Sequence, residues 1–235
     1  MRISVITPTL LRPKALAFSE RVWSQQTRPP DEHVIVEEAW SSIYHNYTPV
    51  NPFANYLICA TGIKKGVHRR LSIGQKLNRG VNASSGDLIV IAGDDNYYAP
   101  DYLELVEAKF ASDPGLLYLT RANMTFYNIR HGYAFTRTST SCGAGFVLRA
   151  DPMKDEFAFP HNNGGGEDTA YFNLFRESVH RKQRATWDDP HKLIPARHDE
   201  VHHRVWVQIG CPKIDVNIDK LIPDAETRRL FMECV

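Results

Sequence analysis

Leu88-Ile89-Val90-Ile91-Ala92 is an unbroken apolar run that stops at Gly93-Asp94-Asp95-Asn96. No polar residue alternates through it, so both faces of the segment must be covered. That pattern predicts a central strand of a parallel sheet with helices on either side. A buried strand that ends in two adjacent carboxylates is costly unless a cation meets them. Two constraints follow: a layered α/β architecture, and a charged edge on it. Asp, Asn and Gly are also turn residues, so the motif alone remains compatible with a plain turn.

The flanking sequence fits the same architecture. Ile3 to Ile6 reads as a first strand stopped at Thr7-Pro8-Thr9. Leu16 to Trp23 has helical spacing and ends before Pro29-Pro30. His33 to Val36 reads as a second strand followed by Glu37-Glu38, and Asn55 to Ala60 as a third. Ile73, Leu77 and Val81 recur every fourth residue in a helix over Ser72 to Ala83. Pro100 to Phe110 reads as a helix with Pro100 at its start, and Leu116 to Thr120 as another strand. Beyond that the pattern turns β-rich, with a hairpin around Gly132, a strand over Phe146 to Leu148, a helix from Glu167 to His180 and a last helix from Asp224 to Met232. Alternating strands and helices followed by antiparallel strands predict one parallel sheet with a less regular C-terminal half. Ligands bind such sheets at the carboxyl ends of the strands. Three acidic motifs fall near such ends: Glu37-Glu38, Asp94-Asp95 and Glu167-Asp168.

Bulk properties narrow the function classes. The 235 residues carry a net charge of +1, so no overall field favours nucleic acid or an anionic membrane. Cys59, Cys142, Cys211 and Cys234 show no C-x-x-C spacing, which argues against a disulfide framework or zinc knuckle and for a reducing, cytoplasmic setting. No apolar run reaches the roughly 18 residues that span a bilayer, so any membrane contact is expected to be peripheral.

The carboxylates and amide of Asp94-Asp95-Asn96 are hard oxygen ligands suited to Mg²⁺ or Mn²⁺ shared with a diphosphate. Gly164-Gly165-Gly166 brings flexible backbone to Glu167-Asp168, although acids at a helix start also simply stabilise its N-terminus. Glu37-Glu38 can accept hydrogen bonds from a base or ribose, or be a solvated strand end. His198 and His202 are four apart, but the preceding Ile194 to Arg197 reads as a strand, which weakens a helical zinc pair.

Taken in order, these segments resemble the family 2 inverting glycosyltransferases of the A-type fold, over Arg2 to about Phe175. Ile3 to Thr9 resembles the family's opening strand, whose end touches the donor base. Val22-Trp23-Ser24-Gln25-Gln26-Thr27 is similar to its S-x-x-x-Q-T helix end, and Leu77 to Asp87 to its R-N-x-G-x-x-x-A-x-G-(D/E) segment. Asp94-Asp95-Asn96 followed by Pro100-Asp101-Tyr102-Leu103 resembles the D-x-D region, Ser141 to Phe146 the acceptor-side strand, and Glu167-Asp168 the family's E-D pair. Leu77 stands where an arginine often precedes the asparagine, Ser84 replaces an alanine, and Gly93 takes the first D-x-D position.

The resemblance implies a single Rossmann-like nucleotide-diphospho-sugar transferase domain, α/β with a mostly parallel central sheet and a small antiparallel C-terminal part. Residues 1–120 are then the donor half and 121–235 the acceptor and catalytic half. Thr7, Pro8, Thr9, Glu37, Glu38, Lys76, Asn78 and Asp94 are expected around the donor; Asp95 with Asn96, and His198, are expected to hold Mn²⁺ or Mg²⁺; Asp168, beside Glu167, is expected to be the base. The donor is expected to be a nucleoside-diphosphate sugar, UDP-linked by preference. The acceptor is a hydroxyl on a glycan, lipid carrier, protein or modified nucleobase. A nucleotidyltransferase of related fold needs a glycine-rich phosphate loop after the first strand, and Thr7 to Lys14 contains no glycine. A non-catalytic nucleotide or carbohydrate binder is the other alternative, and a histidine-based metal hydrolase a more distant one.

Overall fold

The computed structural model describes residues 1–39, 47–60, 63–64, 67–68, 70–138, 145–161, 167–189, 193–197, 213–214 and 217–234. The first half runs β1 (Ile3–Pro8), α1 (Pro13–Ser24), β2 (Glu32–Ala39), β3 (Ala54–Ala60), a two-stranded ribbon β4 (Ile63–Lys64) and β5 (Val67–His68), α2 (Ile73–Ala83), β6 (Leu88–Ile91) and β7 (Asn96–Tyr98). The second half runs α3 (Tyr102–Ser112), β8 (Tyr118–Arg121), β9 (Asn123–Asn128), β10 (Tyr133–Thr138), β11 (Phe146–Arg149), α4 (Ala150–Glu156), α5 (Glu167–Glu177), β12 (Arg184–Trp187), β13 (Leu193–Arg197), β14 (Lys213–Ile214), α6 (Ile218–Leu221) and α7 (Ala225–Glu233).

The main sheet has the order β12-β8-β11-β6-β1-β2-β3. Strand β11 runs antiparallel to both neighbours, β6 and β8; every other pairing in this sheet is parallel. A smaller sheet, β14-β10-β9-β13-β7, is antiparallel except where β13 meets β9. The architecture is the one expected from the sequence.

The apolar run behaves as its composition demands. All four residues of β6 are buried. Leu88 and Val90 pack with Phe18, Val22 and Trp23 of α1 and with Leu103, Val106 and Phe110 of α3. Ile89 and Ile91 face the other way, onto Leu77 and Val81 of α2 and Tyr171, Phe172 and Phe175 of α5. The period-2 alternation of a strand thus feeds two cores. Helix α2 lies so close to the sheet that a Cβ on Gly80 would stand 2.3 Å from Ile6 Cγ2.

Several boundaries differ from the sequence reading, β8 for one starting at Tyr118 rather than Leu116. Pro100 does not open α3: its carbonyl accepts from Thr27 N–H at 2.8 Å, and the helix starts two residues later. Gln26 supplies the missing cap, taking Leu103 N–H at 3.1 Å and donating to Ala99 O at 2.9 Å. The Gln-Thr pair closing α1 is therefore the clamp that sets the start of α3. Helix α5 stops at Glu177 rather than at His180, because Ser178 Oγ donates to Phe175 O at 2.7 Å and competes for the helical carbonyl. Glu37 and Glu38 do not follow β2. They lie inside it, in register with Ile58 and Cys59 of β3, because pairing along the edge strand carries β2 on to Ala39.

Gly80→Ala is expected to cost about 1–3 kcal/mol, since the clash with Ile6 outweighs the helix propensity gained. Gly115→Ala meets only Asp113 Oδ1 at 3.5 Å and is expected to stay within about 0.5 kcal/mol of wild type. Urea unfolding of the two variants checks the contrast.

Candidate functional site

The carboxyl ends of β1, β2 and β6 share one edge of the sheet, because the three strands are parallel neighbours. Asp94 and Asp95 follow β6 after Ala92 and Gly93. Asp94 is 4% exposed. It accepts from Thr9 Oγ1 at 2.7 Å and from Arg12 Nη1 at 2.6 Å. Arg12 also reaches Asp95 Oδ2 with both Nη1 and Nη2, each at 3.3 Å, and Cys234 O at 3.3 Å beyond the end of α7. One guanidinium therefore bridges two adjacent carboxylates and the C-terminal segment.

Thr9 is the hub of this edge. Its N–H donates to Val36 O at 2.9 Å, its hydroxyl goes to Asp94, and its carbonyl accepts from Lys76 Nζ at 2.7 Å. Lys76, 4% exposed on α2, also pairs with Glu38 Oε1 at 2.9 Å. Glu37 accepts from Leu11 N–H at 2.5 Å and from the Tyr56 hydroxyl. Leu11 has φ 51°, a left-handed conformation that a branched side chain rarely adopts. Its amide bond to Glu37 is what holds that turn. Such strain concentrates where a binding site over-determines the backbone.

Electrostatics follow from burial. Desolvation, then the neighbouring Asp95, push the Asp94 carboxyl up to about 6, against Arg12 and Thr9, which pull it down. Burial works against the Arg12 cation, but Asp94 and Asp95 overcome it and leave its pKa above the ordinary value. One guanidinium thus pairs with both carboxylates. Underneath, His33 is fully buried, shares a 2.9 Å hydrogen bond with Thr7 Oγ1, and is held neutral by desolvation, its pKa pushed down to about 3.

The donor set fits a hard divalent cation. A Cβ on Gly93 would lie 2.6 Å from Asn96 Nδ2 and 3.3 Å from Asp95 Oδ1, so both side chains close over bare backbone. Two carboxylates and a side-chain amide are hard oxygen ligands of the kind Mg²⁺ or Mn²⁺ takes. Among the described residues no three His, Cys, Asp or Glu side chains cluster as a metal site. A cation here would take its remaining ligands from phosphate oxygens and water.

A second group lies across the sheet edge. Asn78 of α2 clasps the backbone of Phe159, donating to its carbonyl at 2.8 Å and accepting from its N–H at 2.7 Å. Gly74 lets the same segment approach: a Cβ there would be 2.1 Å from Pro160 O. Phe159 stacks on Tyr171 of α5 with centroids 4.2 Å apart. At the far end of α5, Phe175 stacks on Tyr118, the first residue of β8. Asp168 lies two turns back from Phe175, roughly 10 Å along the axis at 1.5 Å per residue. Asp168 stands in the first turn of α5. Its Oδ1 accepts from Thr169 N–H at 2.6 Å. Glu167 opens α5, while its side chain, Gly164 to Gly166, Ser141 to Ala144, His198 and His202 lie outside the described residues.

Direct bonds thus join Thr9, Asp94 and Asp95 through Arg12, with Glu37, Glu38 and Lys76 linked through the Thr9–Arg12 loop. Asn78 belongs to the group built on Phe159, and Asp168 stands on the same helix as its Tyr171. Thr7 and Pro8 close β1, Thr7 hydrogen-bonded to His33. Arg12 and Cys234 are not singled out by the sequence as site residues, whereas Gln26 falls at the Q of the S-x-x-x-Q-T segment. The available signal was the position of Arg12, the first cation after β1, immediately before Pro13 at the helix start.

No protein-family model matches the chain, and no curated protein matches it in sequence. Solved structures do match in fold. S. aureus TarS 1–349 in complex with UDP superposes with TM-score 0.60 at 16% identity, covering 84% of this chain and 61% of that one. The same protein in complex with UDP-GlcNAc gives 0.62 at 14% identity, with 98% and 65% covered. The mannosyltransferase PcManGT from Pyrobaculum calidifontis, in complex with GDP-Man and Mn²⁺, gives 0.58 at 14%, with 87% and 59% covered. The chain has the A-type glycosyltransferase fold. It spans about three fifths of the TarS 1–349 length.

Folded His33 takes up protons near pH 3, against 6.5 for the free side chain. Its pKa is lowered, so stability is present above 6.5 and is lost as pH falls below it. Between pH 7.5 and pH 5 this amounts to about 2 kcal/mol. Urea unfolding of wild type and His33→Gln is expected to show the gap between them narrowing by that amount at pH 5. Parallel pH profiles would show that His33 is not buried neutral.

Proposed function

We propose that the chain is a metal-dependent inverting glycosyltransferase that moves a sugar from a nucleoside-diphosphate donor, UDP-linked by preference, to an acceptor hydroxyl. The observation that carries this reading is the Asp94–Asp95 pair at the carboxyl edge of a sheet whose fold is shared with structures in complex with UDP, UDP-GlcNAc and GDP-Man. Residues 1–120 form the donor half and 121–235 the acceptor half in this reading.

The end of β1, Thr7 to Thr9, lies along the base and ribose. Glu37 and Glu38 act on the donor by shape: Glu37 fixes the Leu11 turn, and Glu38 fixes Lys76 beneath Thr9. Asp95, with Asp94 and Asn96, and with His198 as a further ligand, would hold Mn²⁺ or Mg²⁺. The bound ion supplies Lewis-acid neutralisation of the departing diphosphate. Asn78 positions the Phe159 segment and, through Tyr171, the helix that bears the base.

Asp168 takes the proton from the acceptor hydroxyl as that oxygen attacks the anomeric carbon. The new carbon–oxygen bond forms on the face opposite the breaking bond to the diphosphate, so the configuration inverts. Glu167 shares the N-terminal turn with Asp168. The acceptor is a hydroxyl of a glycan, lipid carrier, protein or modified nucleobase. No helix among the described residues is long and apolar enough to cross a membrane, and any membrane contact in this reading is peripheral.

Incubation with UDP-, GDP- and dTDP-sugars, with Mn²⁺ or with EDTA, tests the proposal. One donor is expected to release nucleoside diphosphate only with metal, and Asp95→Ala is expected to abolish release. Asp168→Asn is expected to lose on the order of 10²–10⁴-fold in transfer rate while keeping donor binding. Absence of both binding and release across the panel would refute the proposal.

A further inference from the structure

Arg12 is the more exposed partner of the acidic pair. Its side chain is 33% exposed, against 6% for Asp94 and 14% for Asp95. A cation that took over both carboxylate contacts would displace the guanidinium. The grip is uneven: the contact to Asp94 is 2.6 Å, whereas those to Asp95 and to Cys234 O are 3.3 Å, at the loose end of the hydrogen-bond range. Arg12 also stands at the N-cap of α1, where the first turn holds no acidic residue and no side chain caps the helix. That end carries partial positive charge and unmet N–H donors.

Charge bookkeeping separates two states. Without ligands, the Arg12 guanidinium contacts both carboxylates. With a dication on the carboxylates, that pair is neutralised and the guanidinium is released beside a diphosphate. Lys76 cannot take this role, being 4% exposed and already bonded to Glu38 and to Thr9 O. A guanidinium fork suits phosphate oxygens, which it binds in bidentate fashion.

Resting on the donor reading above, we propose that Arg12 is an exchanging residue: it occupies Asp94 and Asp95 while the donor is absent, and turns to the nucleoside diphosphate when the carboxylates take a divalent cation. Arg12 is then a substrate-binding residue that also sets how readily the acidic pair accepts metal.

The two roles predict opposite signs in one variant. Mn²⁺ binding to the donor-free full chain, followed by electron paramagnetic resonance, is expected to tighten about tenfold in Arg12→Gln, because the competing cation is gone. UDP and GDP, titrated at saturating Mn²⁺, are expected to bind about tenfold or more weakly to the same variant. Arg12→Lys keeps the charge without the fork and is expected to fall between on both measurements. It also carries the comparison should Arg12→Gln unfold, as judged by circular dichroism. Tightening of both ligands would make Arg12 a blocker only, and weakening of both a structural strut only; either overturns the inference, as does unchanged Mn²⁺ affinity. Wild-type protein that binds neither nucleotide would instead remove the donor reading itself, whatever Mn²⁺ does.

Discussion

Burying carboxylates on one edge of a parallel sheet is the constraint on which the rest of this structure turns. Glu37, Glu38 and Asp94 are each less than 5% exposed. A buried charge left without a partner costs several kcal/mol, so each must be met. Glu38 is met by Lys76 from α2, Glu37 by Leu11 N–H and the Tyr56 hydroxyl, and Asp94 by Arg12 and Thr9. All three solutions pass through the loop from Thr9 to Arg12. That loop is consequently held in a conformation, with Leu11 at φ 51°, that its own residues would not choose.

The acidic turn rests on an aromatic floor. Trp23 packs on Tyr98 with centroids 4.5 Å apart, Tyr98 on Tyr102 at 4.9 Å, and Tyr102 stacks on Trp187 at 5.5 Å. Arg121 lies over the Trp187 ring at 4.8 Å. The floor joins α1, β7, α3 and β12, so the position of Asn96 at the start of β7 is set by packing from both halves of the chain. On the far side α7 docks on α1 through Phe231 against Phe18 and through Arg21 to Asp224 at 2.9 Å. That docking brings Cys234 O to Arg12. Site geometry is thus tied to residues more than 200 positions apart.

Much of this was legible in the chain because periodicity is a local signal. The unbroken run at Leu88 to Ala92 announced a strand covered on both faces, and the four-residue spacing of Ile73, Leu77 and Val81 announced α2. Gly132, at φ 63°, marked the hairpin between β9 and β10. What local pattern could not show was which cation meets which carboxylate. Arg12 and Asp94 are brought together only because β1 and β6 are neighbours, and Glu37 reads as a strand end until pairing with β3 carries β2 past it. The short strand β7 was missed for the same reason: its pairing with β13 spans about a hundred residues, and three residues carry no period of their own.

The central claim is that this edge, with its Arg12-bridged acids, is where a donor diphosphate sits. A crystal structure of the full chain with UDP and Mn²⁺, collected for manganese anomalous scattering, addresses it most directly. The account predicts an anomalous peak against Asp95, the diphosphate between that peak and the start of α1, and the Arg12 guanidinium moved from the carboxylates to phosphate oxygens. Nucleotide bound elsewhere, or bound with Arg12 still bridging Asp94 and Asp95, would contradict it.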